Sequence, residues 1–215
     1  MKKHSVINVQ YLISISAMFI FIWMLSIAQQ AELTPFDSAL FRLVDSISNE
    51  GLIAIAEKVT IVGSGLVIGG GAFFLLLWLW FMRKNYLGMA VLVLGVAGSN
   101  LLKSWIKESV GRQRPESAVI MEEEFAFPSG HAMVSICFYV LLAFFIAKEM
   151  KSSSAKLIIY SICLLISFVS GMSRIILHVH YPSDVIGGYA LGLVWLMLCF
   201  YIYRRFAGRF PKNGN

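Results

Sequence analysis

Charge is scarce in this chain. Only 14% of its 215 residues are Asp, Glu, Lys or Arg, against 58% hydrophobic, and the mean hydropathy is +0.75. That lies well outside the soluble globular range, so the long apolar stretches read as membrane spans. Cysteine is sparse as well. Cys137, Cys163 and Cys199 all fall inside apolar runs with no CxxC spacing, which excludes a disulfide framework and leaves three buried small hydrophobes. There is no GxxxxGK(S/T) loop and no GxGxxG after a strand pattern, so the usual nucleotide cradles are missing. No internal repeat is present, and the only biased tract is Ser152 to Ser154.

What remains is an all-α pattern. Six apolar runs occur at about 9–28, 59–82, 86–106, 130–147, 156–175 and 184–203, each close to the ~20 residues that cross ~30 Å of hydrocarbon. Between the first two, residues 32–58 carry Phe36, Leu40, Leu43, Val44 and Ile47 at helical spacing, with Asp37, Arg42 and Asp45 between them. This predicts an amphipathic segment at the interface, and its acidic excess places it on the extracytoplasmic side. The expected fold is one domain over 1–215, a six-transmembrane-helix bundle with that extra segment. Glycines spaced as GxxxG, Gly65 with Gly69 and Gly188 with Gly192, are expected to let helices approach closely.

The net charge of +6 does not point to nucleic acid, because the loops are too short for a basic face. Its distribution follows the positive-inside rule instead. Lys2 and Lys3, Arg83 and Lys84, Lys148, Lys151 and Lys156, and Arg204, Arg205, Arg209 and Lys212 all fall on one side of the six runs. Both termini are therefore expected in the cytoplasm. Ser26-Ile27-Ala28 resembles a signal-cleavage site, but the preceding run is longer than the usual 7–15-residue core of a signal, so the first run is expected to stay as a span.

Three polar blocks then emerge on the opposite side. Lys107 to Pro115 (KESVGRQRP) brings Lys107, Arg112 and Arg114 close to Lys103. Helical spacing would put Lys103, Lys107 and Arg114 on one face. Interfacial snorkelling is the bland alternative. Pro128 to His131 (PSGH) opens the fourth run, where the N–H groups of Ser129, Gly130 and His131 would be free for an anion; a simple Pro-Ser cap is the alternative. Ser173 to Asp184 (SRIILHVHYPSD) ends the fifth run and opens the sixth. Arg174 offers a planar fork for phosphate oxygens. Asp184 either caps its helix or holds one nitrogen of His180 as N–H, freeing the other to attack. His178 reads as a turn or packing residue, and Glu122, Glu123 and Glu124 as a solvated loop face balancing the cations, with a regulatory divalent ion there as the alternative.

The three blocks, K-x6-RP, PSGH and SR-x5-H-x3-D, resemble the signatures of the type-2 phosphatidic-acid phosphatase superfamily, and every signature position is filled. That superfamily includes lipid phosphate phosphatases, bacterial acid phosphatases and vanadium haloperoxidases; the six-run layout is similar to its bacterial integral-membrane branch. The resemblance implies a lipid phosphate phosphatase of the cell membrane with its active site on the extracytoplasmic face. Phosphatidylglycerol phosphate is the first expected substrate, and undecaprenyl diphosphate or a broader set of lipid phosphates the second. It also implies catalytic roles for His180, His131 and Asp184, with Lys107, Arg114, Arg174, Ser129 and Gly130 holding phosphate, a phosphohistidine intermediate, and inhibition by vanadate.

A site with one carboxylate and an excess of cations would repel a metal, so no metal or cofactor is expected. The expected partners are the lipid substrate and the bilayer, with no nucleic acid and no obligate protein partner. A lipid-phosphate binder or transporter is the non-enzymatic alternative. It could use the same cations but would not need both histidines with the aspartate.

Overall fold

The computed structural model describes residues 2–30 and 33–207, with side chains from residue 9 onward. Glu32, Arg209 and Lys212, which entered the readings above, lie outside the described residues. Among those described, all regular structure is helical: α1 (Lys2–Ala28), α2 (Pro35–Ile47), α3 (Glu50–Val59), a 3₁₀ turn (Thr60–Gly63), α4 (Gly65–Phe81), α5 (Tyr86–Val93), a π turn (Leu94–Gly98), α6 (Ser99–Val110), α7 (Gly130–Glu149), α8 (Ser153–Ile176) and α9 (Pro182–Phe206). Six runs are long and apolar enough to cross a membrane, in the places the hydropathy pattern predicts.

The second run differs in detail. It extends over Glu50–Phe81 but is not one helix, because the 3₁₀ turn ends at Ser64, whose side chain accepts the Val67 N–H and starts α4 afresh. The third run, α5 through α6, continues to Val110 and stops at Gly111, whose φ of +65° is open to glycine at low cost.

α7 is the axis of the bundle. Its span is 72% buried, against 22% for the span of α8, so whatever its first turn carries is held from several sides. Gly188 and Gly192 of α9 allow the close approach that their spacing predicts. A Cβ at Gly188 would lie 2.6 Å from the Ser129 carbonyl oxygen, and one at Gly192 would lie 2.6 Å from Ile136 Cγ2. Gly65 and Gly69 do not pack this way: a Cβ at either meets nothing within 4 Å. They line an open cavity instead. Cys137, Cys163 and Cys199 are buried and free, as expected of small hydrophobes.

The amphipathic segment forms two helices, α2 and α3. Thr34 and Asn49 cap α2 and α3 through their side-chain oxygens. The buried face of α2 is Asp37, Phe41 and Val44, with Phe41 and Val44 packed against Ala132, Ile175 and Val185 of the bundle. Leu43 and Ile47, expected on the apolar face, point outward. α2 is therefore docked on the bundle at the end that carries the three polar blocks.

Candidate active site

The first block begins on a helix and ends off it. Gly111 closes α6, its N–H donating to the Lys107 carbonyl, and the chain turns back. Arg114 thus leaves the helical face that its spacing suggested, yet it still converges with Lys107 on Glu124. Lys107 Nζ donates to the Phe125 carbonyl at 2.6 Å and lies 3.1 Å from Glu124 Oε2. Lys103 Nζ is 3.3 Å from the same oxygen, and Arg114 Nε donates to the Glu124 carbonyl at 2.7 Å.

The second block sits at the start of α7. The Ser129 N–H, expected to be free, donates to the Asp184 carbonyl at 3.0 Å, which ties the start of α7 to the start of α9. Gly130 and His131 occupy the first two positions of α7, so their N–H groups have no acceptor within the helix, and they make no other backbone bond among the described residues. The space above Gly130 is taken by the Lys103 stem, whose Cδ would lie 2.9 Å from an added Cβ. Glycine here admits a lysine rather than simply leaving room for an anion.

The third block is a tight connection. α8 stops at Ile176, His178 adopts φ +52°, and Val179 and His180 donate back to the Arg174 carbonyl. Pro182 begins α9, and Asp184 at its third position accepts the Tyr181 N–H at 2.9 Å. His180 is thereby fixed with 1% of its surface exposed. His178 stays out of this site: its ring stacks on Phe41 at 4.5 Å and 8°, and its nitrogens meet Ser117 and Asp45.

Both nitrogens of His180 face a defined group. Nδ1 is 3.4 Å from Asp184 Oδ2, and Nε2 is 3.2 Å from Arg114 Nη1. A guanidinium only donates, so Nε2 carries the lone pair and Nδ1 the proton. Burial, with Arg114, Lys107 and Arg174 nearby, holds the His180 pKa well below 6.5 and keeps the ring neutral. A neutral imidazole of this kind has the chemistry of a nucleophile when its Nε2 lone pair is released from the cation. His131 lines the same cavity as His180, packed against Gly63, where an added Cβ would lie 2.7 Å from the ring.

Cations surround this point, and the loop acids balance them as expected: Glu122 and Glu124 are exposed and pair directly with these side chains. Glu122 is wedged between two arginines. Its Oε2 is 2.6 Å from Arg114 Nη2, and its Oε1 accepts from Arg174 Nη2. Burial would raise its carboxyl, but Arg174 and Arg114 hold it below the usual carboxylate range. Lys107 and Lys103 likewise hold Glu124 low against the effect of its burial. Glu122 and Glu124 occupy the positions where anionic oxygens would meet these side chains. Arg174 Nη1 also donates to Thr60 Oγ1 at 3.0 Å, while Arg174 Nε and Ser129 Oγ are buried without a hydrogen-bond partner among the described residues. The cavity has a volume of about 590 Å³. Its lining combines Lys103, Lys107, His131 and His180 with the apolar Gly65, Ile68, Gly69, Val96 and Ala97. A phosphate with an apolar tail matches that combination.

One further group was not foreseen. Arg112 is buried between Asp37 of α2 and Asp184, at 2.7 and 2.5 Å. The available signal was an aspartate on the buried face of α2, in register with Phe41 and Val44.

The sequence pattern of the PAP2 superfamily matches residues 87–207, which includes all three blocks. Phosphatidylglycerophosphatase B of Bacillus subtilis is 38% identical over 136 residues, covering 62% of this chain and 63% of that protein. The chain thus spans just under two thirds of that relative in sequence. In three dimensions the chain is similar to the crystal structure of a transmembrane PAP2 type phosphatidylglycerolphosphate phosphatase from Bacillus subtilis, with a TM-score of 0.80 and 26% identity, covering 94% of this chain and 98% of that one. Aquifex aeolicus LpxE aligns with a TM-score of 0.57 and 26% identity over 80% of this chain and 98% of that one.

Proposed function

The chain belongs to the PAP2 superfamily, and on that premise we propose that it is a membrane lipid phosphatase acting through a phosphohistidine, with phosphatidylglycerol phosphate as its substrate. The substrate assignment rests on the names of the relatives just given. The chemical assignment rests on one observation: the buried His180 ring is set between Asp184, 3.4 Å from Nδ1, and Arg114, 3.2 Å from Nε2.

In this reading the phosphate displaces Glu122 and Glu124 and is held by Lys107, Arg114, Arg174, Ser129 Oγ and the N–H groups of Gly130 and His131. His180 Nε2 attacks phosphorus while the bond to the lipid oxygen breaks, and protonated His131 gives its proton to that oxygen. Asp184 stabilises the imidazolium as it forms. In the second step His131 takes a proton from water, the water oxygen attacks phosphorus, the P–N bond breaks and phosphate leaves. The cations stabilise charge on the non-bridging oxygens throughout, which is the principal work in phosphoryl transfer.

Arg83 pairs with Glu149, and Lys148 Nζ donates to Tyr203 at the same end of the bundle. That end, opposite the site, carries the basic clusters. By the positive-inside rule it is cytoplasmic and the site faces outward, in a single domain spanning the chain. The test is phosphate release by the purified protein from a panel of lipid phosphates with chelator present. Release from phosphatidylglycerol phosphate, abolished in His180→Ala, is expected. A panel that favours a prenyl diphosphate reassigns the substrate, and a His180→Ala protein that keeps full function identifies a binder or carrier instead.

A further inference from the structure

We infer that Asp37 and Arg112 are positioning residues for this reaction: through Arg112, Asp37 fixes the Asp184 carboxylate that orients His180. The inference rests on the reading of His180 as the nucleophile, and it adds a residue from outside the region that the family pattern matches.

The guanidinium of Arg112 is divided between two carboxylates. Nη1 donates to Asp184 Oδ1 at 2.5 Å and to Ser183 Oγ at 2.7 Å, and Nη2 donates to Asp37 Oδ2 at 2.7 Å. Asp37 is in turn held by the Ser183 N–H on Oδ1 and the Ser183 hydroxyl on Oδ2, both at 2.8 Å. The Thr34 hydroxyl adds a longer bond at 3.3 Å. The Tyr181 ring covers the guanidinium face, 4.1 Å from its centroid. Asp37, Ser183 and Asp184 are fully buried and Arg112 nearly so.

This arrangement sets the geometry of Asp184. With Oδ1 on Arg112 and Oδ2 accepting the Tyr181 N–H, the carboxylate cannot rotate, and Oδ2 is the oxygen that faces His180 Nδ1. It also sets the charge. Arg112 with Asp184 alone would be neutral and would offer little to an imidazolium. The second carboxylate leaves the trio with a net negative charge beside the ring that becomes positive when phosphorus is bound. Both η-nitrogens of Arg112 are taken by Ser183, Asp184 and Asp37, so the guanidinium acts on the reaction through Asp184. Stability alone gives little reason for such a trio, since buried ion pairs are often matched by apolar packing.

The experiment measures steady-state hydrolysis of p-nitrophenyl phosphate, which needs no lipid docking, by the detergent-purified full chain. Asp37→Asn is expected to lower kcat about 10- to 100-fold, the range seen when an outer partner of a functional side chain is lost, with KM unchanged within about twofold. In the Asp184→Asn background, adding Asp37→Asn is expected to cost nothing further, because the two act in series. A loss that is merely structural would multiply instead. If Asp37→Asn does not yield folded protein, Arg112→Lys serves in its place. It keeps the buried charge without the fork, and the same fall in kcat and the same lack of additivity are expected. An active wild type with unaffected kcat in these variants, or with losses that multiply, overturns this inference alone. A wild type that hydrolyses neither this ester nor any lipid phosphate overturns the phosphatase reading and this inference together.

Discussion

Arg114 Nη1 lies 3.2 Å from His180 Nε2, and the same guanidinium nitrogen donates to the Val179 carbonyl at 2.9 Å. Backbone next to the histidine thus holds the cation that faces its lone pair. Nε of Arg114 is tied to the Glu124 carbonyl, so the fork is fixed from two loops at once and presents its remaining edge to Glu122.

Arg114→Lys removes that fork while keeping the charge. A lysine cannot bond two carbonyls in one plane and still address a phosphate oxygen. The expected fall in kcat/KM on a water-soluble phosphomonoester is about 10²–10³, the usual cost of one transition-state donor. A change under about threefold would mean that Arg114 is not a phosphate ligand.

Glu122→Gln releases Arg114 and Arg174 from a competing carboxylate. Inorganic phosphate and vanadate are then expected to inhibit more tightly, by roughly fivefold, since a partly exposed ion pair is worth about 1 kcal/mol. Inhibition constants that stay level or rise would show that Glu122 helps to build the site rather than occupying it.

His180 should stay neutral under mildly acidic conditions. Burial and three neighbouring cations hold its pKa well below 6.5, so the unfolded chain takes up a proton near that pH which the folded site refuses. The unprotonated nucleophile therefore persists as pH falls, while the fold loses stability progressively below about 6.5. In ¹³C-labelled protein the His180 resonance is expected not to titrate between pH 6 and 8. A midpoint near the ordinary value would contradict the assigned environment.

The two GxxxG pairs should behave oppositely. Gly188→Ala drives a Cβ to within 2.6 Å of backbone and is expected to lower stability by about 1–3 kcal/mol, read as a lower Tm in detergent. Gly69→Ala meets open space and should leave Tm level or slightly higher. Gly69→Leu places a larger apolar side chain on the cavity lining. It is expected to raise KM for long-chain lipid phosphates while sparing p-nitrophenyl phosphate, and equal effects on both would argue against a tail at that wall.

The sequence carried the spans and the three blocks because both are written in local patterns. Hydropathy marks a run such as 130–147 without reference to its neighbours, and the spacing of Arg174, His180 and Asp184 is fixed by one short connection. What was not legible depends on where a loop returns. Glu122 and Glu124 are the exposed, cation-balancing loop charges that the sequence suggests, but nothing local says which cations they meet, because that depends on residues 111–129 folding back over Lys107 and Arg174. Asp37 is separated from Arg112 by two spans, and its amphipathic helix reads equally well lying on lipid or docked on protein. Arg114 left its predicted helical face because Gly111 ended α6 before it. The Ser129 N–H was assigned to an anion because the partnership of α7 with the Asp184 carbonyl is purely tertiary.

The central claim is that an imidazole, fixed by Asp184 and faced by Arg114, takes the phosphoryl group from a lipid. The direct measurement is acid-labile, alkali-stable ³²P on the protein after rapid quenching of turnover with labelled phosphatidylglycerol phosphate, with chelator present. Label on a peptide containing His180, missing in His180→Asn, is the predicted result. Undiminished label or turnover in His180→Asn would contradict the account.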